Sequence, residues 1–260
     1  MELNFFEWEL SDGVGILTFS REKVLNALNR DLLQEGLTFL KHQSNNEDLK
    51  VLILTGKGAK SFVAGADIQE LSSADSNSGR TIARLGQEFM NAISNFPRPV
   101  LAAINGFALG GGLEVAISAD IRYASSRAKL GLPEVTLGLI PGYGGTQRLA
   151  RLIGIGKANE YIFSGDMIGA EQALKDGLVQ GVFEPDELIP SVLSIAKKIA
   201  SRAPLALQSA KRAINLGTQL DLRSGLEVEI LEFGNVCGTE DMKEGTRAFL
   251  EKRTANFLNQ

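Results

Sequence analysis

Apolar runs of strand length alternate along residues 1–184 with segments whose apolar positions recur at helical spacing. The run VLAAI at 100–104 is apolar throughout and VLILT at 51–55 is nearly so, which is typical of strands covered on both faces of a sheet. The segment 25–44 instead carries leucines at helical spacing, at positions 28, 32, 33, 37 and 40. Strands that alternate with helices predict right-handed crossover units, with ligands near the strand ends.

The complete pattern predicts an α/β fold with a helical region at its C-terminal end. We predict strands at 4–10, 13–20, 51–55, 100–104, 121–124, 129–131 and 178–183. Helices are predicted at 25–44, 79–95, 144–153, 157–163 and 170–176, with short ones after 62–68 and from Leu113. From Pro185 strand signals are few, and helices are predicted at 188–200, 204–217, 220–233 and 239–257. We therefore divide the chain into an α/β core, 1–184, and a helical region, 185–260, that packs on its own core or on a neighbouring subunit.

The stretch from Pro99 to Gly145 carries the candidate chemistry. Its strand ends at a turn, and the glycines 110–112 then precede a helix with Glu114 in its first turn. Glycine permits unusual backbone conformations and close approach of a ligand, and a helix start has unpaired N–H groups. A second carboxylate, Glu134, follows Pro133 in a loop-like segment. N–H donors with two carboxylates nearby suit proton transfer next to a carbonyl group.

A similar transition from small residues into a helix occurs at Ala66–Asp67. Two such transitions in successive units predict a pair of backbone N–H groups that share one oxygen atom. Each feature alone also has a structural interpretation. Glycine-rich turns often precede helices, Glu114 is favourable in a first turn on dipole grounds, and Glu134 can be a solvated loop charge.

Composition limits the alternatives. The 260-residue chain has one cysteine, Cys237, and one histidine, His42, so an internal disulfide and a cysteine-based metal cluster are excluded. Since nothing near His42 has the character of a nucleophile, acid–base chemistry falls to the carboxylates. The net charge of −4 argues against broad binding to nucleic acid or to an anionic membrane. Without a visible signal peptide or membrane span, we expect a cytoplasmic protein.

Five blocks, in the expected order and spacing, resemble the crotonase superfamily, specifically its enoyl-CoA hydratase branch. The resemblance covers nearly the whole chain. The blocks are FVAGADI (62–68), INGFALGGGLEVAISADIRYA (104–124), LPEVTLGLIPGYGGTQRL (132–149), SGD…A…ALKDGLV (164–179) and EDMKEGTRAFLEKR (240–253).

The resemblance implies a spiral of ββα units followed by a helical trimerisation region, in a homotrimer or a hexamer built as a dimer of trimers. It also implies reversible syn-hydration of a trans-2-enoyl-CoA to a 3-hydroxyacyl-CoA, as in β-oxidation and other fatty acid metabolism. Coenzyme A is then part of the substrate, and no separate cofactor or metal is expected.

The resemblance also implies roles for individual residues. The backbone N–H groups of Ala66 and Gly111 would form the oxyanion hole, Glu114 would activate the water, and Glu134 would exchange a proton with Cα. The residues expected to contact substrate or CoA are Lys23, Leu25, Ala64, Ala66, Asp67, Ile68, Gly111, Gly142, Phe233 and Lys252, with Phe233 contributed by a neighbouring subunit. Val63 and Gln69 depart mildly from the pattern, and Gln69 argues against a cationic contact to CoA there.

Two alternatives stay open. An enoyl-CoA isomerase of the same fold needs Glu134 but less clearly Glu114. Some members of the superfamily bind RNA, although the segment 25–44 carries only Arg30 and Lys41 as cations. The acyl-chain length and the metabolic pathway are left open by the sequence.

Overall fold

The computed structural model describes residues 2–260, apart from the side chain of Gln69, so the interpretation of Gln69 lies outside the described part. The strands are β1 (Phe6–Ser11), β2 (Val14–Phe19), β3 (Val51–Gly56), β4 (Ser61–Val63), β5 (Val100–Ile104), β6 (Phe107–Leu109), β7 (Ile121–Ser125), β8 (Lys129–Gly131), β9 (Ile168–Gly169) and β10 (Gly181–Phe183). The helices are α1 (Arg30–Gln43), α2 (Ile68–Ser72), α3 (Ser76–Ser94), α4 (Gly111–Ala116), α5 (Gly145–Ile153), α6 (Ile155–Ser164), α7 (Ala170–Lys175), α8 (Leu188–Ala200), α9 (Pro204–Gly217), α10 (Leu222–Cys237) and α11 (Glu240–Leu250). Two further segments, Glu22–Val24 and Pro133–Leu137, form 3₁₀ turns.

The strands form two sheets that the chain visits alternately. The larger sheet has the order β1-β2-β3-β5-β7-β10, and the smaller one has the order β4-β6-β8-β9. Pairing is parallel except between β1 and β2 and between β8 and β9. Each of β3, β5 and β7 is followed directly by a strand of the smaller sheet, so the chain advances as a spiral. The predicted α/β class is confirmed.

The larger sheet is covered on both faces. Alternate side chains of a strand point to opposite faces, and β3 is buried at all six positions. Leu52 and Leu54 belong to a core cluster that includes side chains of α1 and α3, whereas Val51 and Ile53 pack with α8. The apolar run in the sequence therefore reflects a strand between two helical layers.

The helices after α8 form an outer layer. Lys211 on α9 anchors this layer to the core, because its Nζ donates to Asp120 Oδ2 at 2.7 Å and to the carbonyl oxygen of Arg98 at 3.1 Å. Helix α10 packs against α9 and has no buried residue. Its large exposed apolar side chains are Leu222, Leu226, Ile230, Leu231 and Phe233. The division at residue 185 stays a prediction, since α8 itself packs on the sheet.

Several element boundaries differ from those predicted. Helix α1 begins at Arg30 rather than near residue 25, because Leu25 and Asn26 adopt φ values of 53° and 60° in a preceding loop. The last helix ends at Leu250, and the following segment folds back so that the Asp241 carboxylate accepts N–H groups of residues 258 and 259. Strands β4, β6 and β9, of two or three residues each, are not among the predicted strands. Within residues 2–260, none of the helices combines the length and the hydropathy that a membrane crossing requires.

Candidate active site

Glu114 lies in the first turn of α4 and is 2% exposed. Its Oε1 accepts hydrogen bonds from the backbone N–H groups of Tyr143, at 2.8 Å, and Gly145, at 2.7 Å. Burial raises the pKa of Glu114 to about 7, and the charge of Glu134 acts in the same direction. The two N–H donors and Arg148 oppose this rise. The carboxyl group is therefore fixed in position and titrates near neutral pH.

Glu134 lies in the 3₁₀ turn that follows β8. Its Oε2 is buried and has no hydrogen-bond partner among the residues described, and burial raises the pKa of Glu134 to about 7. The other oxygen lies against Gly110, since a Cβ at that position would be 3.1 Å from Oε1. Gly110 has φ 51° and ψ −124°, a conformation that favours glycine. Because Gly110 has no side chain, the Glu134 carboxyl group can lie against the backbone at the start of α4.

The two carboxyl groups come from separate segments and converge at the start of α4. Glu134 lies beside Gly110, and Glu114 follows four residues later along the same chain segment. The negative charge of Glu134 contributes to the raised pKa of Glu114, as expected for like charges at short range. Such a pair retains one proton near neutral pH, because ionising both groups is costly. One group can then act as a base while the other acts as an acid.

Two backbone N–H groups complete the arrangement. Leu28 bonds on both sides of Ala66, donating to the carbonyl of Gly65 at 2.8 Å and accepting from Asp67 at 2.7 Å. Neither the N–H of Ala66 nor that of Gly111 donates to any group in the described part of the chain. The two loops are adjacent, because a Cβ on Gly110 would lie 3.7 Å from Gly65 Cα. The site can therefore offer two donors to one oxygen atom.

The segment 21–28 lies along the loop that contains Ala66. Its Leu25 carbonyl accepts from the N–H of Ala64 at 3.0 Å, and Arg21 pairs with Asp67 at 3.4 Å. Lys23 is exposed on the preceding 3₁₀ turn, and Ile68 begins α2 with 53% of its surface exposed. Hence the structure brings Lys23, Leu25, Ala64, Ala66, Asp67 and Ile68 into one region.

Phe233 and Lys252 lie elsewhere in the chain. Phe233 is 71% exposed on α10, and Lys252 occupies a turn after α11 with φ 54°. In residues 2–260, no hydrogen bond or salt bridge joins either side chain to 21–28 or 64–68. Their contacts with CoA stay a prediction.

The chain is similar to known proteins over nearly its whole length. Residues 9–260 match the family model for Enoyl-CoA hydratase/isomerase. The chain belongs to the enoyl-CoA hydratase/isomerase family. It is 47% identical to the short-chain-enoyl-CoA hydratase of Clostridium acetobutylicum, with 97% of each chain covered. Identity to the crotonyl-CoA hydratase of Syntrophomonas wolfei is 44%, again over 97% of each.

A solved structure supports the same assignment. The crystal structure of the enoyl-CoA hydratase from Bacillus anthracis superimposes with a TM-score of 0.96 at 40% identity, covering 99% of this chain and 100% of that one. The resemblance to the enoyl-CoA hydratase branch of the crotonase superfamily is thus confirmed, as is the mixed α/β crotonase fold. The trimerisation role of the helical region stays a prediction.

In this member of the family, the loop that holds Glu114 is itself held by α3. Gln87 donates to the carbonyl of Gly142 at 3.0 Å. Gly142, a predicted substrate contact, directly precedes Tyr143, whose N–H group holds Glu114. Arg148 donates to the Tyr143 carbonyl at 3.1 Å and to Asn91 at 2.6 Å. No role is predicted for these supporting residues from the sequence. The block GYGGTQRL contains Tyr143 and Arg148, but only the fold brings it to Glu114.

Proposed function

We propose that this enoyl-CoA hydratase adds water reversibly across the double bond of a trans-2-enoyl-CoA, with Glu114 and Glu134 as its acid–base pair. The observation that carries the proposal is the convergence of the buried Glu114 carboxyl group and the half-buried Glu134 carboxyl group, each with a pKa near 7, beside two N–H donors that have no partner in residues 2–260. Coenzyme A belongs to the substrate, and the addition of water changes no oxidation state. No further cofactor is therefore needed.

The N–H groups of Ala66 and Gly111 would bind the thioester oxygen. When water attacks Cβ, negative charge moves onto this oxygen, so both hydrogen bonds become stronger as the reaction proceeds. Catalysis requires stabilisation of this kind, which favours the transition state over the ground state. Loss of one such donor typically costs about 3 kcal/mol of barrier.

The carboxyl groups would share the proton transfers. Two N–H bonds fix Glu114 Oε1, and Oε2 is then available to take a proton from the attacking water. Glu134, protonated in the singly ionised pair, would give its proton to Cα. The water oxygen bonds to Cβ with one of its hydrogens, Cα receives the proton of Glu134, and Glu114 holds the other water proton. Transfer of that proton from Glu114 to Glu134 would restore the pair, so the net change is the addition of one water molecule. Because both carboxyl groups converge on the same small region, we propose addition to one face of the double bond.

Substitution of each glutamate tests this assignment. Glu114→Gln and Glu134→Gln should each lower kcat for crotonyl-CoA by about 10²–10⁴-fold, since a positioned acid or base contributes that much. The Kd of a saturated acyl-CoA should change little. The exposed Glu171 on α7 offers a matched control, and Glu171→Gln should keep wild-type turnover. Near-normal hydration by either active-site variant would overturn its assigned role.

The isomerase alternative has its own measurement. Conversion of a 3-enoyl-CoA to the conjugated 2-enoyl-CoA is followed by the rise in ultraviolet absorbance, and hydration of crotonyl-CoA by its fall. We expect hydration to dominate. If turnover of the 3-enoyl substrate dominated and survived Glu114→Gln, the protein would act as an isomerase.

We also propose that the helical region 185–260 joins copies of the chain into a trimer or a hexamer of two trimers, acting in the cytoplasm on acyl-CoA. Support comes from α10, whose exposed apolar side chains exceed what an isolated surface helix carries. The native mass by light scattering should be three or six times that of the chain. A monomeric mass would contradict this proposal without touching the chemistry above.

A further inference from the structure

The ring of Tyr143 occupies the space between the catalytic helix and α3. Tyr143 is 6% exposed, and its backbone N–H is one of the two donors that hold Glu114. On one side of the ring, a Cβ on Gly111 would lie 3.4 Å from Cδ2 and Cε2. On the other side, a Cβ on Gly86 would lie only 2.0 Å from Cδ1. The ring therefore spans the gap between the start of α4 and the middle of α3.

Gly86 is what makes room for this ring. The same hypothetical Cβ would also approach Cε1 and Cγ to 2.3 Å, far inside van der Waals contact. Since Gly86 is buried within α3, where glycine lowers helix stability, its presence is explained by the ring that lies against it. The two residues act as a pair, one providing the space and the other filling it.

The direction of the substrate follows from the proposed chemistry. The thioester oxygen lies at Ala66 and Gly111, Cα lies beside Glu134, and Cβ lies beside Glu114. A conjugated enoyl thioester is planar, so the remaining acyl chain leaves Cβ in the direction away from the thioester oxygen. It must therefore pass Glu114. The backbone N–H of Tyr143 contacts Glu114 Oε1, so the Tyr143 side chain begins beside that carboxyl group.

We propose that the Tyr143 ring closes the acyl end of the site and restricts this enzyme to short-chain 2-enoyl-CoA substrates. This inference rests on the proposed hydration. Packing alone holds the ring in place, because no described residue hydrogen-bonds its phenolic oxygen. The wall therefore consists of the aromatic ring and does not depend on the hydroxyl group. Tyr143→Phe preserves the wall, whereas Tyr143→Ala removes it.

The experiment measures kcat/KM for crotonyl-, 2-hexenoyl-, 2-octenoyl- and 2-decenoyl-CoA. A pocket that rejects one extra methylene discriminates by roughly tenfold or more. We expect the wild-type value to fall steeply after hexenoyl-CoA. Tyr143→Ala should raise the ratio of octenoyl to crotonyl activity by about tenfold or more, while Tyr143→Phe keeps the wild-type ratio. An unchanged ratio in Tyr143→Ala would overturn the proposal.

A binding measurement separates this inference from the proposed reaction. Calorimetry with butyryl-CoA and octanoyl-CoA, which have no double bond to hydrate, reports the pocket alone. Tyr143→Ala should improve octanoyl-CoA binding relative to butyryl-CoA by about tenfold. If Tyr143→Ala improved octanoyl-CoA binding but the wild-type protein hydrated no substrate, the proposed role of Tyr143 would stand and the hydratase mechanism would be refuted. Equal preferences in wild type and variant would refute the pocket whatever the activity.

The partnership with Gly86 supplies a second variant if Tyr143→Ala folds poorly. Gly86→Ala forces the ring to move, so activity on crotonyl-CoA should fall. In the double variant Gly86→Ala/Tyr143→Ala the clash is absent, and a large part of the crotonyl-CoA activity should return. Strong non-additivity of this kind is expected for two side chains in direct contact. If the losses of crotonyl-CoA activity in the two single variants were additive in the double variant, the contact between Gly86 and the Tyr143 ring, and the proposed role of the ring, would be contradicted.

Discussion

Replacing Glu114 by glutamine should make the protein more stable at alkaline pH, although it removes a catalytic group. Burial raises the pKa of Glu114 from 4.5 to about 7, so the folded state disfavours the charged form. Folding free energy is therefore lost as the pH rises from below 4.5 through 7, and it stays lost above that range. Glutamine carries no charge at any pH. Its Oε1 can still accept the N–H groups of Tyr143 and Gly145.

The magnitude follows from the pKa difference. A separation of one pKa unit corresponds to about 1.4 kcal/mol, so the change from 4.5 to about 7 corresponds to about 3 kcal/mol at pH 8 and above. At pH 5 most of the group is still protonated in the folded state, and the penalty is about 1 kcal/mol. The advantage of Glu114→Gln should therefore grow by about 2 kcal/mol between pH 5 and pH 8.

The assay is denaturant unfolding of wild type and variant at both pH values, at one fixed protein concentration. Groups that titrate alike in the two proteins cancel in the difference. Glu171→Gln is the matched control, since Glu171 is exposed on α7 and its replacement should give no pH-dependent difference. If the advantage of Glu114→Gln were the same at pH 5 and pH 8, the carboxyl group would not be titrating near 7 and the reasoning would fail.

Two other predictions concern activity and stability. The kcat/KM of crotonyl-CoA should follow a bell-shaped pH profile with its maximum near neutral pH, because hydration needs one ionised and one protonated member of the Glu114–Glu134 pair; a profile flat from pH 5 to 9 would contradict shared protonation. Lys211→Met should lower the free energy of unfolding by about 3 kcal/mol, since it leaves the largely buried Asp120 without its cation. Lys197→Met breaks an exposed pair with Asp12 and should cost less than about 1 kcal/mol, so equal losses in denaturant melts would refute the distinction.

Some features of the site could be predicted from local sequence. The glycines 110–112 and Glu114 are neighbours in the chain, so a short-range pattern was enough to associate N–H donors with a carboxylate. In the structure, Gly110 and Gly112 are required for different reasons. Gly110 adopts a positive φ beside Glu134, whereas a Cβ on Gly112 would lie 1.8 Å from the carbonyl oxygen of Val63 in β4. The second reason involves residues about fifty positions apart and could not be read locally.

Other features depend on contacts that no local pattern contains. The sequence pattern made Glu134 a candidate for proton transfer, although Glu134 by itself also fits a solvated loop charge, and only the resemblance gave it a specific role. In the fold its Oε2 is buried, so desolvation raises its pKa. Likewise, no local pattern predicts a role for Tyr143, because that role depends on the space that Gly86 leaves in α3.

The sequence by itself determined the alternation of strands and helices, the parallel α/β class and the residue types available for acid–base chemistry. These follow from the periodicity of apolar positions and from composition, which are properties of neighbouring residues. Only the tertiary structure decided that β4, β6, β8 and β9 form a second sheet and that two glutamates converge beside two N–H groups without a partner in residues 2–260. Burial, and the pKa changes that follow from it, arise from atoms contributed by distant segments, so they exist only once the chain has folded.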